Sequence, residues 1–177
     1  MAKVVPQWLF YVTVGILALL GLFFIFVWVG VIGDAHVSIS KEGITIFDTR
    51  PGDIRGSWQN MSAETVVDAV YTFLVKCIPL DENDKKFMRE ATIVIVSERR
   101  LQVIMLLSRS PQDAVALYDP GWKRIYVVNT GDLAHELIHH YVAIRRIRID
   151  SKKHHEHLLF QKCQSYDPAI SFYPLVY

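Results

Sequence analysis

The sequence has few of the features that mark several common protein classes. It contains 2 cysteines, too few for a disulfide-rich scaffold or for a zinc site built from cysteines alone. Its 19 Lys and Arg residues are balanced by 18 Asp and Glu residues, which leaves no cationic excess for phosphates, so we expect no nucleic-acid partner. At 51% hydrophobic residues, the chain is too apolar for intrinsic disorder.

The N-terminal region lacks charge. Residues 7–33 contain no Asp, Glu, Lys or Arg, and a helix needs about 20 apolar residues to cross a bilayer. Trp8 and Tyr11 lie near one end and Trp28 near the other, as interfacial aromatic residues do. The pattern predicts a short tail, 1–6, and a transmembrane helix over 7–33 that contacts the lipid bilayer. We therefore expect a single-pass membrane protein whose C-terminal domain lies outside the cytoplasm. A cleaved signal peptide is the alternative.

The rest of the chain is long enough for one core. Alternating residues over 36–48 predict a hairpin within a juxtamembrane segment of hairpin and loop, 34–60. Helical spacing of apolar residues predicts a helix over 62–78 in the main domain, 61–177. Strands are predicted over 91–97, 101–107, 114–118 and 123–129, with a short helical turn within 81–90 and a last helix over 151–164. These elements indicate an α+β fold, with a mixed sheet of about three to five strands packed against helices.

Histidine is concentrated in one part of the sequence, with six of the seven between 135 and 157. Residues 135–139 read His-Glu-Leu-Ile-His, on a helix that we expect Thr130 to cap. Positions i and i+4 share a helix face, so His135 and His139 can bind one metal ion, and zinc suits neutral imidazole ligands. Glu136 then flanks the ion, where it can accept a proton from an activated water. The alternative is an ordinary core helix with two surface histidines.

A catalytic zinc site needs a third protein ligand and one open position. Residues 154–157 read His-His-Glu-His, so each of the four is a candidate from ligand type alone. On a helix His154 and Glu156 point apart, so only one or two of the four side chains can face the metal.

The order of a strand, the HELIHH sequence, a short spacer and an Asp- and His-rich segment before Phe160 resembles the compact zincin metallopeptidases. It is similar to the SprT-like group and to the small minimal zincins of phage and bacterial origin. The resemblance covers about 91–163. It implies that a histidine about five residues before the aromatic residue is the third ligand, which is His155 here, with Glu156 and then His157 as alternatives. It also implies that an edge strand binds extended peptide.

We therefore expect a zincin-like metallopeptidase that hydrolyses peptide bonds in a peptide or protein substrate. One Zn²⁺ ion would be held by His135, His139 and His155, and Glu136 would act as the general base toward the metal-activated water. The alternative is a non-catalytic, membrane-anchored interaction module that is stabilised by zinc, in which a fourth protein ligand closes the site.

Cys77 and Cys163 permit two interpretations. They would form a disulfide if the domain is exported and remain buried thiols if it is not. The sequence leaves the oligomeric state, the substrate and the edge strand open.

Overall fold

The computed structural model describes residues 7–32, 35–50, 57–58, 61–110, 114–149, 153–164 and 166–168. The chain divides into two compact units, Met1–Asp34 and Ala35–Tyr177.

The first unit contains helix α1, Gln7–Ile32, whose side chains are described from Gln7 to Gly21. Within the described part of the chain, no helix combines the length and the apolar character needed to cross a membrane, for which about 20 apolar residues are required. This finding contradicts the transmembrane helix predicted over 7–33 as part of the fold. The predicted single-pass localisation is wrong for the same reason, and the expected contact with the bilayer depended on that helix.

The second unit contains the strands β1 (His36–Ile39), β2 (Thr45–Asp48), β3 (Ser57–Trp58), β4 (Met61–Ser62), β5 (Thr92–Ile95), β6 (Ala116–Asp119) and β7 (Arg124–Val127). Five of them form one mixed sheet in the order β1-β2-β5-β7-β6, and β3 pairs with β4 separately. The three central strands are parallel, whereas β1 and β6 run antiparallel at the two edges. The predicted hairpin over 36–48 is confirmed by the pairing of β1 with β2.

Helix α2, Ala63–Cys77, packs on one face of this sheet and confirms the helix predicted over 62–78. It begins at Ser62, whose side chain accepts a hydrogen bond from the Thr65 N–H, as a helix cap does. Apolar side chains at helical spacing face the inward side chains of the central strands. The core formed in this way includes Val66, Val67, Val70, Leu74, Ile46, Ile93 and Ile125.

Helix α3, Glu82–Met88, begins with a reciprocal cap in which the Asp81 and Asp84 carboxylates each accept the other residue's backbone N–H. Arg145 donates hydrogen bonds to both carboxylates. This arginine directly follows the helix that carries the His-Glu-x-x-His motif, so the ion pairs hold α3 against that helix.

The strand predicted over 101–107 is wrong, because these residues belong to helix α4, Glu98–Ser108. The Ser97 side chain accepts a backbone N–H of the first turn and caps the helix. Leu101 and Met105, one helical turn apart, are buried on the sheet face opposite α2. A short apolar run fits a strand or a helix, and here capping and one-sided burial select the helix.

Helix α5, Leu133–Ile144, carries the motif. The cap predicted at Thr130 is wrong, because this residue begins a one-turn 3₁₀ helix, Thr130–Asp132. Its hydroxyl donates to Asp167 Oδ1 at 2.7 Å. A tertiary contact therefore uses the hydroxyl that was expected to cap α5.

The single helix predicted over 151–164 is also wrong. The described chain forms a 3₁₀ turn, His154–Glu156, and then helix α6, Leu158–Cys163. His157 separates them with an extended backbone (φ −73°, ψ 137°), and its Nδ1 accepts the Leu159 N–H at the start of α6. This break, rather than helical spacing, sets the directions of the histidine side chains.

A disulfide bond joins Cys77 to Cys163 across a sequence separation of 86 residues. It links the end of α2 to the end of α6, so the two interpretations of the cysteines resolve in favour of the bridge. The segment that contains His154, His155 and His157 is thereby bonded covalently to the core.

Candidate metal centre

Helix α5 turns one face to the core and the other to a surface cavity. Leu133, Ala134, Leu137 and Ile138 are fully buried in the core. The motif side chains His135, Glu136 and His139 instead line a cavity of about 700 Å³. The helical period alone produces this separation, because i and i+4 lie on one face and the apolar positions lie on the other.

His135 and His139 point toward the same place. Their Nε2 atoms are 3.1 Å apart, and their ring centroids are 4.8 Å apart. The pKa of His135 is lowered to about 4, mainly by burial and also by the neighbouring His155 and His154, while a bond to Gln164 acts in the opposite direction. Burial, followed by the neighbouring histidines, lowers the pKa of His139 to about 3. Both rings are therefore neutral at pH 7, the form that binds metal ions.

Glu136 lies beside this pair and is only 7% exposed. Burial is the main reason that its pKa rises to about 8, and the negative charge of Asp132 raises it further. A hydrogen bond from the backbone N–H of Tyr118 opposes the shift. In the metal-free protein this carboxyl is therefore mostly protonated at pH 7, and it accepts a proton only once it has ionised.

Together these three side chains form a group whose ligand atoms lie within 4.8 Å of one another, and the group could hold a metal ion. Two neutral imidazoles and a carboxylate are a donor set that divalent transition metals accept.

The 3₁₀ turn brings two more imidazoles to the cavity. The His154 ring centroid lies 4.8 Å from that of His139 and 5.4 Å from that of His135. The His155 ring stacks on His135 with centroids 5.0 Å apart. His135, His154 and His155 form a second group with ligand atoms within 4.8 Å of one another.

The structure thus places His155, the first candidate for third ligand, at the centre. Glu156 and His157 belong to neither potential ligand group among the described residues. Glu156 is exposed, and the His157 side chain is engaged in capping α6. His154, which the sequence argument did not select, lies beside both motif histidines.

Two residues at the centre were not predicted to contact the histidines: Phe160 served in the sequence only to mark the spacing of the third ligand, and Gln164 had no signal. Phe160 is fully buried, and its ring centroid lies 5.0 Å from that of His135 and 4.8 Å from that of His139. Gln164 Oε1 lies 3.2 Å from the Nδ1 atoms of both His135 and His155. Phe160 packs against the imidazoles, and Gln164 orients two of them.

Strand β6 borders the cavity. Among the described residues it is an edge strand of the sheet, paired only with β7, and the segment from Ala114 to Tyr118 lines the cavity wall. On the other side of the cavity, α5 contributes Val142, and Ile149 follows. The floor thus combines apolar side chains with the motif's polar groups, beside the outer edge of β6.

The sequence matches no protein-family model, no curated protein and no solved structure.

Proposed function

We propose that this protein is a zinc-dependent metallopeptidase. The observation that carries the proposal is the 3.1 Å separation of the His135 and His139 Nε2 atoms beside the buried carboxyl of Glu136, on the floor of a cavity that an edge strand borders. A pair of converging imidazoles, a candidate base and a cavity at one place are the parts that metal-assisted hydrolysis requires.

His135 and His139 would hold the ion, with a third imidazole from the His154–His155 pair. Zinc suits this set because it accepts neutral imidazole nitrogen and has no geometric preference of its own. Glu136 would remain free of the ion as the base. Three protein ligands leave one coordination position open, which is the condition for catalysis.

When bound, zinc supplies Lewis acidity that polarises the substrate carbonyl and makes water more acidic. Glu136 takes the proton of the attacking water and later delivers it to the amine that leaves. Its position beside the imidazole pair, on the wall of the same cavity, suits both transfers. The backbone N–H of Tyr118 stabilises the ionised form of the carboxyl. The peptide bond is thus hydrolysed without a covalent intermediate on the protein.

The substrate would bind as an extended chain along the outer edge of β6, adding one strand to the sheet. The Tyr118 N–H already bonds to Glu136 and so faces away from β7. Because main-chain groups alternate along a strand, the N–H of Ala116 faces the cavity too. A substrate bound in this way would have its backbone beside Ala116 and its scissile bond toward Glu136.

The test uses the full chain and its Glu136→Gln variant, purified without chelator. Zinc per chain is measured by atomic emission, and cleavage is measured with casein and with a mixture of short unstructured peptides. We expect one zinc ion in both proteins and cleavage by the wild type alone, since the variant keeps the imidazoles but loses the base. Absence of zinc from the wild type, or equal cleavage by both proteins, would refute the proposal.

A non-catalytic, zinc-stabilised interaction module is the second candidate. It is favoured by the presence of both His154 and His155 within 5.4 Å of His135, measured between ring centroids. Two motif histidines and two from the turn would make four protein ligands, which closes a zinc site. X-ray absorption of the zinc-loaded chain separates the candidates, because the module has four histidine ligands whereas the enzyme has three and an exchangeable water.

A further inference from the structure

Gln164 makes two contacts that converge on one atom. Its Oε1 lies 3.2 Å from Nδ1 of His135 and 3.2 Å from Nδ1 of His155. An amide oxygen has two lone pairs and no hydrogen, so it can accept two hydrogen bonds but donate none. Both Nδ1 atoms must therefore carry the hydrogen.

A neutral imidazole has one hydrogen, so each of these rings, in its neutral form, presents a bare Nε2. In His135 that Nε2 lies 3.1 Å from Nε2 of His139, which is where the proposed ion would lie. Metal-binding histidines commonly donate the second ring N–H to an oxygen, which fixes the tautomer and makes the ligand nitrogen more basic. One carbonyl oxygen performs this for two rings here.

The position of Gln164 is well defined by its neighbours. It is the residue that ends α6, and its backbone N–H bonds to the carbonyl oxygen of Phe160. The preceding residue, Cys163, is buried and bonded to Cys77 in α2. The amide is thus held at a fixed distance from the two rings by the core rather than by the surface turn.

We propose that Gln164 is a positioning residue that fixes the tautomers of His135 and His155, and that it thereby makes His155, rather than His154, the third metal ligand. This inference depends on the metal centre of the proposed function, and it adds the residue that selects among the clustered histidines. His155 is selected because it bonds to the same oxygen as His135. Both rings therefore turn Nε2 away from Gln164, and they stack with an interplanar angle of 28°.

The test measures metal affinity rather than activity. Zn²⁺ affinity of the full chain is determined by competition with a chromophoric chelator, and the visible absorption of bound Co²⁺ reports the ligand set. Gln164→Leu removes the acceptor, whereas Gln164→Glu retains an oxygen there. Gln161→Leu, an exposed glutamine in the same helix, is the matched control. Circular dichroism and thiol titration check that each variant folds with its disulfide formed.

We expect Gln164→Leu to bind Zn²⁺ about 10- to 100-fold more weakly, as is typical when such an outer partner is lost, and Gln164→Glu and Gln161→Leu to bind as tightly as the wild type or tighter. His155→Ala should weaken binding more than His154→Ala and alter the Co²⁺ spectrum.

Unchanged affinity in Gln164→Leu, or a larger loss in His154→Ala than in His155→Ala, would overturn this inference and leave the proposed function standing. A wild-type chain that binds no Zn²⁺ would overturn both. Tight zinc binding without peptide cleavage would refute the proposed peptidase activity but not the role of Gln164, because zinc affinity can still be compared among the variants.

Discussion

The hydroxyl of Tyr118 lies 2.9 Å from Nδ1 of His140 and donates its hydrogen to that nitrogen. The direction follows from the other side of the ring, because Nε2 of His140 lies 3.1 Å from the carbonyl oxygen of Phe87 and must carry the hydrogen there. His140 is fully buried and belongs to α5, whereas Tyr118 belongs to β6. The bond therefore attaches the strand at the cavity edge to the helix that carries the motif.

We expect Tyr118→Phe to lower the free energy of unfolding by about 1–3 kcal/mol, because a buried acceptor on His140 loses its donor. Urea denaturation followed by circular dichroism measures the change. Tyr126→Phe is the matched control, since Tyr126 lies on the sheet face that packs with α4, and it should change stability by less than about 0.5 kcal/mol. Equal losses in the two variants would contradict the role given to the Tyr118 hydroxyl.

The pKa of Glu136 predicts a pH dependence for the metal-free chain. The folded-state pKa is about 8 against an ordinary 4.5, so between these values the folded protein binds the proton more tightly than the unfolded chain. The contribution to stability is complete below pH 4.5 and is lost as pH rises through about 8. We expect Glu136→Gln, which cannot ionise, to lose less stability than the wild type over that interval.

This comparison is made by urea unfolding in chelator at pH 5 to 9. The motif histidines titrate in both proteins, so their contribution largely cancels in the difference. Glu98→Gln, a change at an exposed glutamate, should follow the wild-type curve. A Glu136→Gln curve parallel to that of the wild type would show that burial does not raise this pKa.

The disulfide predicts a redox dependence of stability. Cys77 and Cys163 are 86 residues apart in sequence, and loss of a native bridge typically costs about 2–5 kcal/mol, because the unfolded chain regains conformational freedom. We expect dithiothreitol to lower the melting temperature of the wild type. The Cys77→Ala/Cys163→Ala variant should have a lower melting temperature from the start, and dithiothreitol should not change it. A change in this variant would mean that the reductant does not act through the disulfide.

Substrate pairing with β6 predicts an effect of proline at Ala116. Proline has no backbone N–H, and the N–H of Ala116 faces the cavity rather than β7 by the alternation described above. Losing one main-chain hydrogen bond of about 0.5–1.5 kcal/mol should lower kcat/KM for peptide cleavage by about 2- to 10-fold, with unchanged zinc content.

Leu117→Pro is the contrasting variant, because the Leu117 N–H faces β7 and its loss should destabilise the fold instead. Stability is measured by thermal melting alongside the kinetics. An Ala116→Pro protein with wild-type kcat/KM would mean that the substrate does not pair with this edge.

Local patterns predicted much of the second unit. Alternating residues over 36–48 predicted the hairpin of β1 and β2, and helical spacing after Ser62 predicted the capped helix α2. Local patterns failed where a short apolar run suited two structures, as over 101–107, and where hydropathy predicted a membrane helix over 7–33, for which the described residues offer no spanning helix.

The pairing of His135 with His139 and the place of Glu136 beside them were determined by the sequence itself, because one turn of a single helix sets all three directions. The other features of the centre were decided only by the tertiary structure. His154 and His155 lie in a turn that a break at His157 separates from α6. Gln164 lies at the end of α6, which the disulfide joins to α2. All three side chains lie beside α5. Their positions depend on how distant elements pack, which no local periodicity encodes.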